Sequence, residues 1–458
     1  MSASETLRGN ATPVPGDNHS GGAHLRRVLG LPSLVLFGLV YMVPLTIFTT
    51  YGLITDLTGG RLPTTYLITL VAMLFTAWSY GAMARAYPLA GSAYSYTSKS
   101  FGGSAGFAAG WSLLLDYLFL PMINYLLIGL YLNAQFPAVP AWVFVLAAIA
   151  VVTILNVVGI SSVAKASGLI VTVQAIFVVV FIAISIATIM RRGGPDLLAP
   201  FTGAGGEWAP LFAGAAILCL SFLGFDAVST LAEETRDPTR NIPRAIMATT
   251  VIAGLIFVSL SYVGHLVFPS HEFADVDSGS LDVMTSAGGN FLAVFFTAAY
   301  IAGSLGSALT AQASVSRILY SMGREGVLPR NVFGRISMRF GTPVIAVLIV
   351  SVISLFALVL DLTTLASMIS FGALAAFSAV NLSVIKHYVI DRQRKGRNDI
   401  VLYGILPTIG FALTVWLWTS LSATALVIGI GWLAAGLAIL GVLTRGFRRP
   451  PPSLNLEH

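Results

Sequence analysis

Apolar stretches long enough to cross a lipid bilayer recur twelve times along the 458-residue chain. A membrane-spanning helix needs about 20 mostly apolar residues to cross roughly 30 Å of hydrocarbon. Charged residues make up only 10% of the chain, so lipid must cover most of its surface. The sequence therefore predicts an all-α integral membrane protein with twelve transmembrane helices, at approximately 31–55, 63–83, 104–135, 141–160, 166–190, 209–232, 243–268, 290–321, 342–360, 364–387, 401–420 and 423–444.

The positive charges predict an orientation for these spans. If the N-terminus is cytoplasmic, all but three of the 25 Lys and Arg residues fall in cytoplasmic segments; the exceptions are Arg61, Arg191 and Arg192. An excess of Lys and Arg in cytoplasmic loops is the usual pattern of membrane proteins. We therefore expect a multi-pass protein of the cell inner (plasma) membrane with both termini cytoplasmic. The basic residues form no continuous patch, so nucleic acid is not an expected partner.

The two ends of the chain differ in composition from the apolar region between them. Residues 1–27 are polar and are predicted to form a disordered cytoplasmic tail without a signal peptide. Residues 446–458 form a C-terminal tail whose last residues, Leu456-Glu457-His458, resemble the remnant of a purification tag. The single cysteine, Cys219, excludes an internal disulfide.

Two carboxylates lie deep within predicted spans, Asp116 in the third and Asp226 in the sixth, and no Lys or Arg lies as deep. Buried charge in a bilayer is costly and is usually functional. Such a site favours a cation, which could be a proton, a metal ion or an ammonium group of a substrate. The alternatives are that Asp226 caps a resumed helix, and that a neutral Asp116 bonds to Asn124 or Tyr117.

Glu233 and Glu234 lie at the end of the sixth span, close in sequence to Arg236, Arg240 and Arg244. They could form a solvated ion-pair cluster or a cytoplasmic gate. The histidines show no metal-ligand spacing, and no phosphate-binding loop or Ser-His-Asp pattern is present. We therefore expect no metal, no cofactor and no enzymatic activity.

Two spans contain signals that interrupt a helix. Pro44 lies in the middle of the first span, and the sixth is weakened from Ser221 to Asp226 around Gly224. The first break could be an ordinary proline kink whose free carbonyl is satisfied by threonine side chains. Matched breaks in the first helices of two five-helix halves, however, indicate an inverted-repeat transporter with its substrate between the breaks.

Several motifs carry a family resemblance that covers about residues 28–445. The segments SFLGFDAVSTLAEETRDPTRNIPRAI (221–246), ASVSRILYSMGREGVLPRNVFGRI (313–336) and PLAGSAYSYTSKSFG (88–102) resemble signatures of the amino acid–polyamine–organocation superfamily. Within that superfamily, LLDYLFLPMIN (114–124) and VPLTIFTTYG (43–52) resemble segments of the bacterial putrescine importers.

The resemblance implies a LeuT-like fold. Residues 28–190 and 209–390 would form two inverted five-helix repeats with broken helices 1 and 6, joined by the extracellular loop 191–208. Two further helices and a preceding loop would occupy 391–445. The resemblance also implies proton-coupled uptake of a polyamine or an amino acid by alternating access, with no obligate protein partner evident.

The residues that match the family's central site are the expected functional residues. For substrate binding they are Tyr41, Pro44, Leu45, Thr46, Thr49, Asp116, Tyr117, Ser221, Phe222, Gly224 and Asp226. For coupling or gating they are Asp116, Gln174, Asp226 and Glu233.

Three departures from the family's patterns bear on the substrate. Pro44-Leu45-Thr46 stands where amino acid carriers have a glycine-rich stretch that binds the substrate carboxylate, which favours a substrate without one. Gln174 stands where many relatives have a lysine, which leaves coupling to the acids. Thr49 stands where putrescine importers have an acid, which weakens the case for a doubly charged amine. The leading hypothesis is import of putrescine or a related organic cation. The alternatives are an amino acid permease or exchanger, an ion channel and a transporter-like receptor.

Overall fold

The computed structural model describes residues 28–88, 92–158, 163–193, 196–202, 207–324, 326 and 328–446. The predicted N-terminal tail and the predicted tag remnant lie outside these residues. Across the described ranges the regular structure is helical, apart from an isolated bridge between Leu29 and Thr235.

The first half of the chain contains five long helical segments. They are α1a (Leu31–Met42), α1b (Pro44–Thr49, continued by Tyr51–Leu57), α2 (Leu62–Ala86), α3 (Gly103–Gln135), α4 (Ala141–Val158) and α5 (Val163–Arg192). A short helix, Ala93–Phe101, precedes α3.

The second half begins with another divided segment. Its helices are α6a (Ala209–Leu218, extended by the turn Cys219–Phe222), α6b (Ala227–Glu234), α7 (Pro238–Val267), α8 (Ser280–Arg324), α9 (Val344–Leu358), α10 (Leu362–Asp391), α11 (Arg397–Thr419) and α12 (Ala423–Leu443). The predicted start of the eighth span, residue 290, coincides with a kink in α8 at Gly288 and Gly289, which leave helical geometry.

Eleven helices of the described ranges are long and apolar enough to cross a membrane. The remaining predicted span, 342–360, corresponds to the shorter apolar helix α9. At about 1.5 Å per residue this helix is shorter than the hydrocarbon core is thick. The prediction of twelve full-length spans is therefore confirmed for eleven helices, while the ninth predicted span is short.

Both predicted helix breaks are present. In the first span, Val43 separates α1a from α1b with φ 50° and ψ 99°, directly before Pro44. In the sixth span, Leu223 is extended and Gly224 has φ 129°, a conformation that glycine adopts without a Cβ penalty. A side chain at Gly224 would also meet Met42 and Tyr41, since an added Cβ would lie 2.8 Å from Tyr41 Cδ1. The two breaks therefore face each other across α1 and α6.

Small residues let several helices approach closely, as is usual in membrane bundles. A Cβ at Gly254 of α7 would lie 2.3 Å from the Leu70 side chain of α2. A Cβ at Gly372 of α10 would lie 2.5 Å from the Ser112 carbonyl oxygen of α3. Small residues thus bring α7 against α2 and α10 against α3.

Candidate functional site

A small cavity of about 60 Å³ lies beside the break in α1. Its wall combines apolar and neutral polar side chains from α1, α3, α5, α6 and α8: Val43, Leu45, Thr46, Thr49, Leu120, Ile123, Asn124, Leu127, Gln174, Leu220, Tyr300, Gly303, Ser304 and Ser307. The volume is enough for a few water molecules or a small polar group. The predicted residues Leu45, Thr46, Thr49 and Gln174 all line it.

Hydrogen bonds across the cavity join α1 and α3 to α8. The hydroxyl groups of Thr49 and Tyr300 are 2.7 Å apart. Asn124 Nδ2 donates to Ser307 Oγ at 3.2 Å and to the Leu120 carbonyl at 2.8 Å. Because the Asn124 amide donates to Ser307, Asn124 links α3 to α8.

Gln174 brings α5 against α8. It is buried, and a Cβ placed on Gly303 would lie 1.9 Å from Gln174 Nε2. The amide therefore occupies space that only a glycine at position 303 leaves free. A neutral side chain here holds the two helices together without adding a charge to the cavity.

The two deep carboxylates lie close enough to act on each other electrostatically. Asp116 is buried on α3, and its Oδ1 has no hydrogen-bond partner among the described residues. Asp226 occupies the position before α6b, but its carboxylate bonds back to the Gly224 amide at 3.0 Å and makes no capping bond to that helix. Tyr41 of α1a lies within electrostatic reach of both acids. We call Asp116, Asp226 and Tyr41 the acidic cluster, and Asp226 connects it to the break in α6.

Aromatic rings surround this cluster. Tyr80 of α2 is fully buried, lies within electrostatic reach of Asp226, and packs edge-on against Phe225 at 5.6 Å and Phe377 at 5.7 Å. The cluster and the cavity are neighbours, because Tyr41 belongs to one and Val43 to the other. Two residues of chain span at most about 7 Å.

Some predicted site residues lie elsewhere. Phe222 is buried edge-on against Phe257 of α7 with ring centroids 5.4 Å apart, and Ser221 Oγ lies 3.3 Å from Tyr66 OH of α2. Leu220 faces the cavity in their place. Pro44 begins α1b at the break, and Tyr117 follows Asp116 on α3.

The predicted acidic group at the end of α6b is only partly described. Glu233 belongs to α6b, and its side chain lies outside the described part of the structure. Glu234 makes no ion pair, since the ion pair found among described residues joins Lys386 to Asp391. Instead, the Glu234 carbonyl accepts from the amides of Val28 and Leu29. The ion-pair interpretation is therefore wrong for Glu234, whose backbone forms a tie to the start of α1a.

Tyr300, which lines the cavity, and Tyr80, which lies beside Asp226, were not predicted. Tyr300, Ser304 and Ser307 recur at helical spacing on an otherwise apolar span, and this polar face is a signal that the sequence contains. For Tyr80 the sequence holds no such signal, because one tyrosine in an apolar helix is an ordinary packing residue.

Comparison with known proteins decides the family. A family model described as amino acid permease matches residues 33–445, which is most of the chain. The chain belongs to the amino acid permease family. It is therefore a multi-pass membrane transporter and not an enzyme, as predicted.

Relatives of this permease cover almost its whole length. The low-affinity putrescine importer PlaP of Escherichia coli (strain K12) is 41% identical over 97% of this chain and 98% of its own. The branched-chain amino acid permease BcaP of Bacillus subtilis (strain 168) is 27% identical over 93% of this chain and 95% of its own. The methylthioribose transporter of Bacillus subtilis (strain 168) is 24% identical over 92% and 94%.

Proposed function

We propose that this permease imports putrescine or a related organic cation across the inner membrane, coupled to protons, by alternating access. The observation that carries the proposal is the pair of deep carboxylates, Asp116 on α3 and Asp226 at the break in α6. A buried negative site is stable only with a cation or a proton beside it. In the proposed cycle the cation is the ammonium group of the substrate, and the proton is the coupling ion. The identity of 41% with a putrescine importer supports the same substrate.

The backbone at the breaks argues against a substrate carboxylate. The amide of Val43 bonds to Val40, that of Thr46 to Val43, and that of Gly224 to Asp226. Pro44 has no amide hydrogen. Because these donors are used within the protein or missing, the breaks are poorly suited to hold an anionic group.

In this proposal the two ends of the substrate meet different surroundings. One ammonium group faces Asp116 and Asp226, while the methylene chain packs against aromatic rings such as Tyr41 and Tyr80. The rest of the substrate extends toward the neutral cavity at Thr49. Asp116, Asp226 and Glu233 are the proposed proton carriers, and Gln174 is a neutral spacer.

The test is uptake of radiolabelled putrescine into proteoliposomes with an imposed pH gradient. We expect Asp226→Asn to lower uptake by about tenfold or more, because hydrogen bonds to charged groups contribute about 1.5–3 kcal/mol. The control is Glu272→Gln, which neutralises an exposed acid in the loop before α8. Undiminished uptake by a folded Asp226→Asn protein would remove Asp226 from the mechanism. Uptake indifferent to the pH gradient would remove proton coupling.

The second candidate is an amino acid permease, which the branched-chain relative supports. Thermal stabilisation of the purified protein separates the two. A ligand at 100 times its dissociation constant adds about 2.7 kcal/mol. Stabilisation by putrescine and cadaverine alone supports a cation site, whereas stabilisation by amino acids alone contradicts it.

We also propose that the short helix α9 crosses the membrane, giving twelve spans, two inverted five-helix repeats and both termini in the cytoplasm. A short span can be accommodated by local thinning of the bilayer. The distribution of Lys and Arg supports this orientation. A fluorescent protein fused to the C-terminus should therefore fold and fluoresce inside the cell, and a periplasmic C-terminus would contradict the twelve-span count.

A further inference from the structure

A groove of about 530 Å³ is lined by none of the residues that line the cavity at the break in α1. Side chains of α3, α8, α9 and α12 form its walls, among them Leu118, Met322 and Ile353. All residues that line it are apolar. Its volume falls within the range of about 300–1,000 Å³ that is usual for small-molecule sites.

Two tryptophans line the groove, and the N–H groups of both are hydrogen-bonded within the protein. Trp111 of α3 and Trp432 of α12 stack with ring centroids 4.8 Å apart. Each indole N–H donates to the other residue's carbonyl at 2.8 Å. Because both donors are satisfied, the wall offers no hydrogen bond to an occupant, which must therefore be apolar.

The groove opens sideways, at the depth of the hydrocarbon. Gly431 lies near the middle of α12, and Phe356 and Gly431 at its edge are exposed. A Cβ added at Gly431 would meet nothing within 4 Å. At this depth the surrounding medium is acyl chains, so a bilayer lipid can enter without crossing water.

One end of the groove meets a basic segment. Leu328 and Phe333 line the groove and belong to the connection between α8 and α9, which also carries Arg330, Arg335 and Arg339. These arginines are exposed, and Glu325 is the one acidic residue between Arg324 and Asp361 in the sequence. An apolar groove that ends at three exposed arginines matches a ligand with an apolar chain and an anionic head.

We propose that this groove binds an anionic phospholipid, with an acyl chain between α3, α9 and α12 and its phosphate at Arg330, Arg335 and Arg339. The lipid packs beside the short helix α9. It contacts none of the residues of the site at the helix breaks. The proposal is therefore independent of which solute the permease carries.

The test compares two lipids on the detergent-purified full-length protein: dioleoyl-phosphatidylglycerol and the zwitterionic dioleoyl-phosphatidylcholine. The thermal unfolding midpoint and the number of bound lipids in native mass spectrometry are both measured. Phosphatidylglycerol should raise the midpoint of the wild type more than phosphatidylcholine does, and should remain bound as a single molecule.

Two variants examine the two parts of the site. Gly431→Phe adds a ring at a residue that lines the groove and whose Cβ would meet nothing within 4 Å, and its control is Leu437→Phe, at an exposed position of α12 outside the groove. The triple variant R330Q/R335Q/R339Q removes the head-group charges, and its control is R392Q/K395Q/R397Q in the basic connection between α10 and α11. Both test variants should lose the preference for phosphatidylglycerol, and both controls should keep it.

Several results would overturn the proposal. Equal stabilisation of the wild type by the two lipids would exclude recognition of an anionic head group. An unchanged response of Gly431→Phe would place the lipid outside the groove. A protein that is dimeric by mass and loses its dimer on Gly431→Phe would make a second copy of the chain the occupant. Gel filtration of each variant establishes that it is folded before the lipids are compared.

Discussion

Gln174 and Gly303 show how one residue pair sets the separation of two helices. The amide of Gln174 fills the space that Gly303 leaves, and both residues line the cavity at the break. A larger residue at 303 must displace the amide, α5 or α8. Overpacking of this kind costs about 1–3 kcal/mol.

We therefore expect Gly303→Ala to lower the unfolding midpoint and to reduce putrescine uptake by at least severalfold. Gly306→Ala on the same helix is the matched control, since its Cβ would meet one atom, Ile170 Cδ1, at 3.3 Å. The double variant G303A/Q174A should recover part of the loss, because the two residues share one volume. If Gly303→Ala behaves like Gly306→Ala, Gln174 does not fill this space.

Asp277, an acid outside the membrane, has a raised pKa in the folded protein. Burial, together with the charges of Asp275 and Asp361, raises the pKa of Asp277 above its usual range. The folded protein then binds this proton more tightly than the unfolded chain. Stability therefore falls as the pH rises from the unfolded pKa, about 3.9, through the folded pKa.

Asp277→Asn should accordingly raise the unfolding midpoint at pH 7. The gain should shrink as the pH falls, because the wild-type carboxyl then becomes neutral as well. Thermal unfolding between pH 4 and 8 measures this, with Glu272→Gln in the same loop as control. A gain that stays constant across this range would show that the ionisation of Asp277 is not its cause.

Helices α4, α8 and α9 are joined by a buried polar network. Gln312 of α8 accepts from Asn156 Nδ2 at 2.9 Å and donates to Ser351 Oγ at 2.7 Å. Ser351 Oγ lies 2.6 Å from Thr153 Oγ1. Because every member bonds to another helix, the network makes these three helices one unit, against which the broken helices can move.

Gln312→Leu should destabilise the protein by about 1 kcal/mol, because Asn156 and Ser351 each lose one of their hydrogen bonds, which join α8 to α4 and α9. Thr310→Val is the control, since Thr310 is exposed and its hydroxyl bonds only within α8. Thermal unfolding measures the loss, and uptake per folded molecule should change little. A large fall in uptake at unchanged stability would instead assign Gln312 to transport.

Backbone hydrogen bonds join the start of α1a to the end of α6b. The amides of Val28 and Leu29 donate to the Glu234 carbonyl, and the amide of Arg236 donates to the Leu29 carbonyl. Toward the other end of α1, Phe48 lies within buried rings that include Phe181 at 5.5 Å and Phe296 at 5.4 Å. This arrangement predicts that α1a and α6b move as one body during transport.

A disulfide between Leu29→Cys and Thr235→Cys, in a Cys219→Ala background, tests this movement. We expect oxidised and reduced protein to take up putrescine at similar rates, because the bond joins parts that stay together. Mass spectrometry confirms that the bond has formed. Inhibition that dithiothreitol reverses would mean that the two segments separate in each cycle.

The spans and their breaks could be predicted because their causes are local. Hydrocarbon thickness requires long apolar runs, and Pro44 and Gly224 interrupt helices through their own covalent structure. The same local rules locate α9 but overestimate its length, since the predicted span 342–360 forms a helix of only Val344–Leu358. They also suggest an ion pair for Glu234, although nearby arginines in a sequence need not meet in space.

The sequence identifies Asp116 and Asp226 as candidate site residues, because charge is rare in a membrane helix. It does not predict that the two acids interact electrostatically, since they lie on different helices. Thr49 bonds to Tyr300 across 251 positions, and Phe222 turns toward α7 while Leu220 faces the cavity. These outcomes depend on how each helix is rotated about its axis. In an almost uniformly apolar span the sequence encodes that rotation weakly, so close packing of the whole bundle sets it.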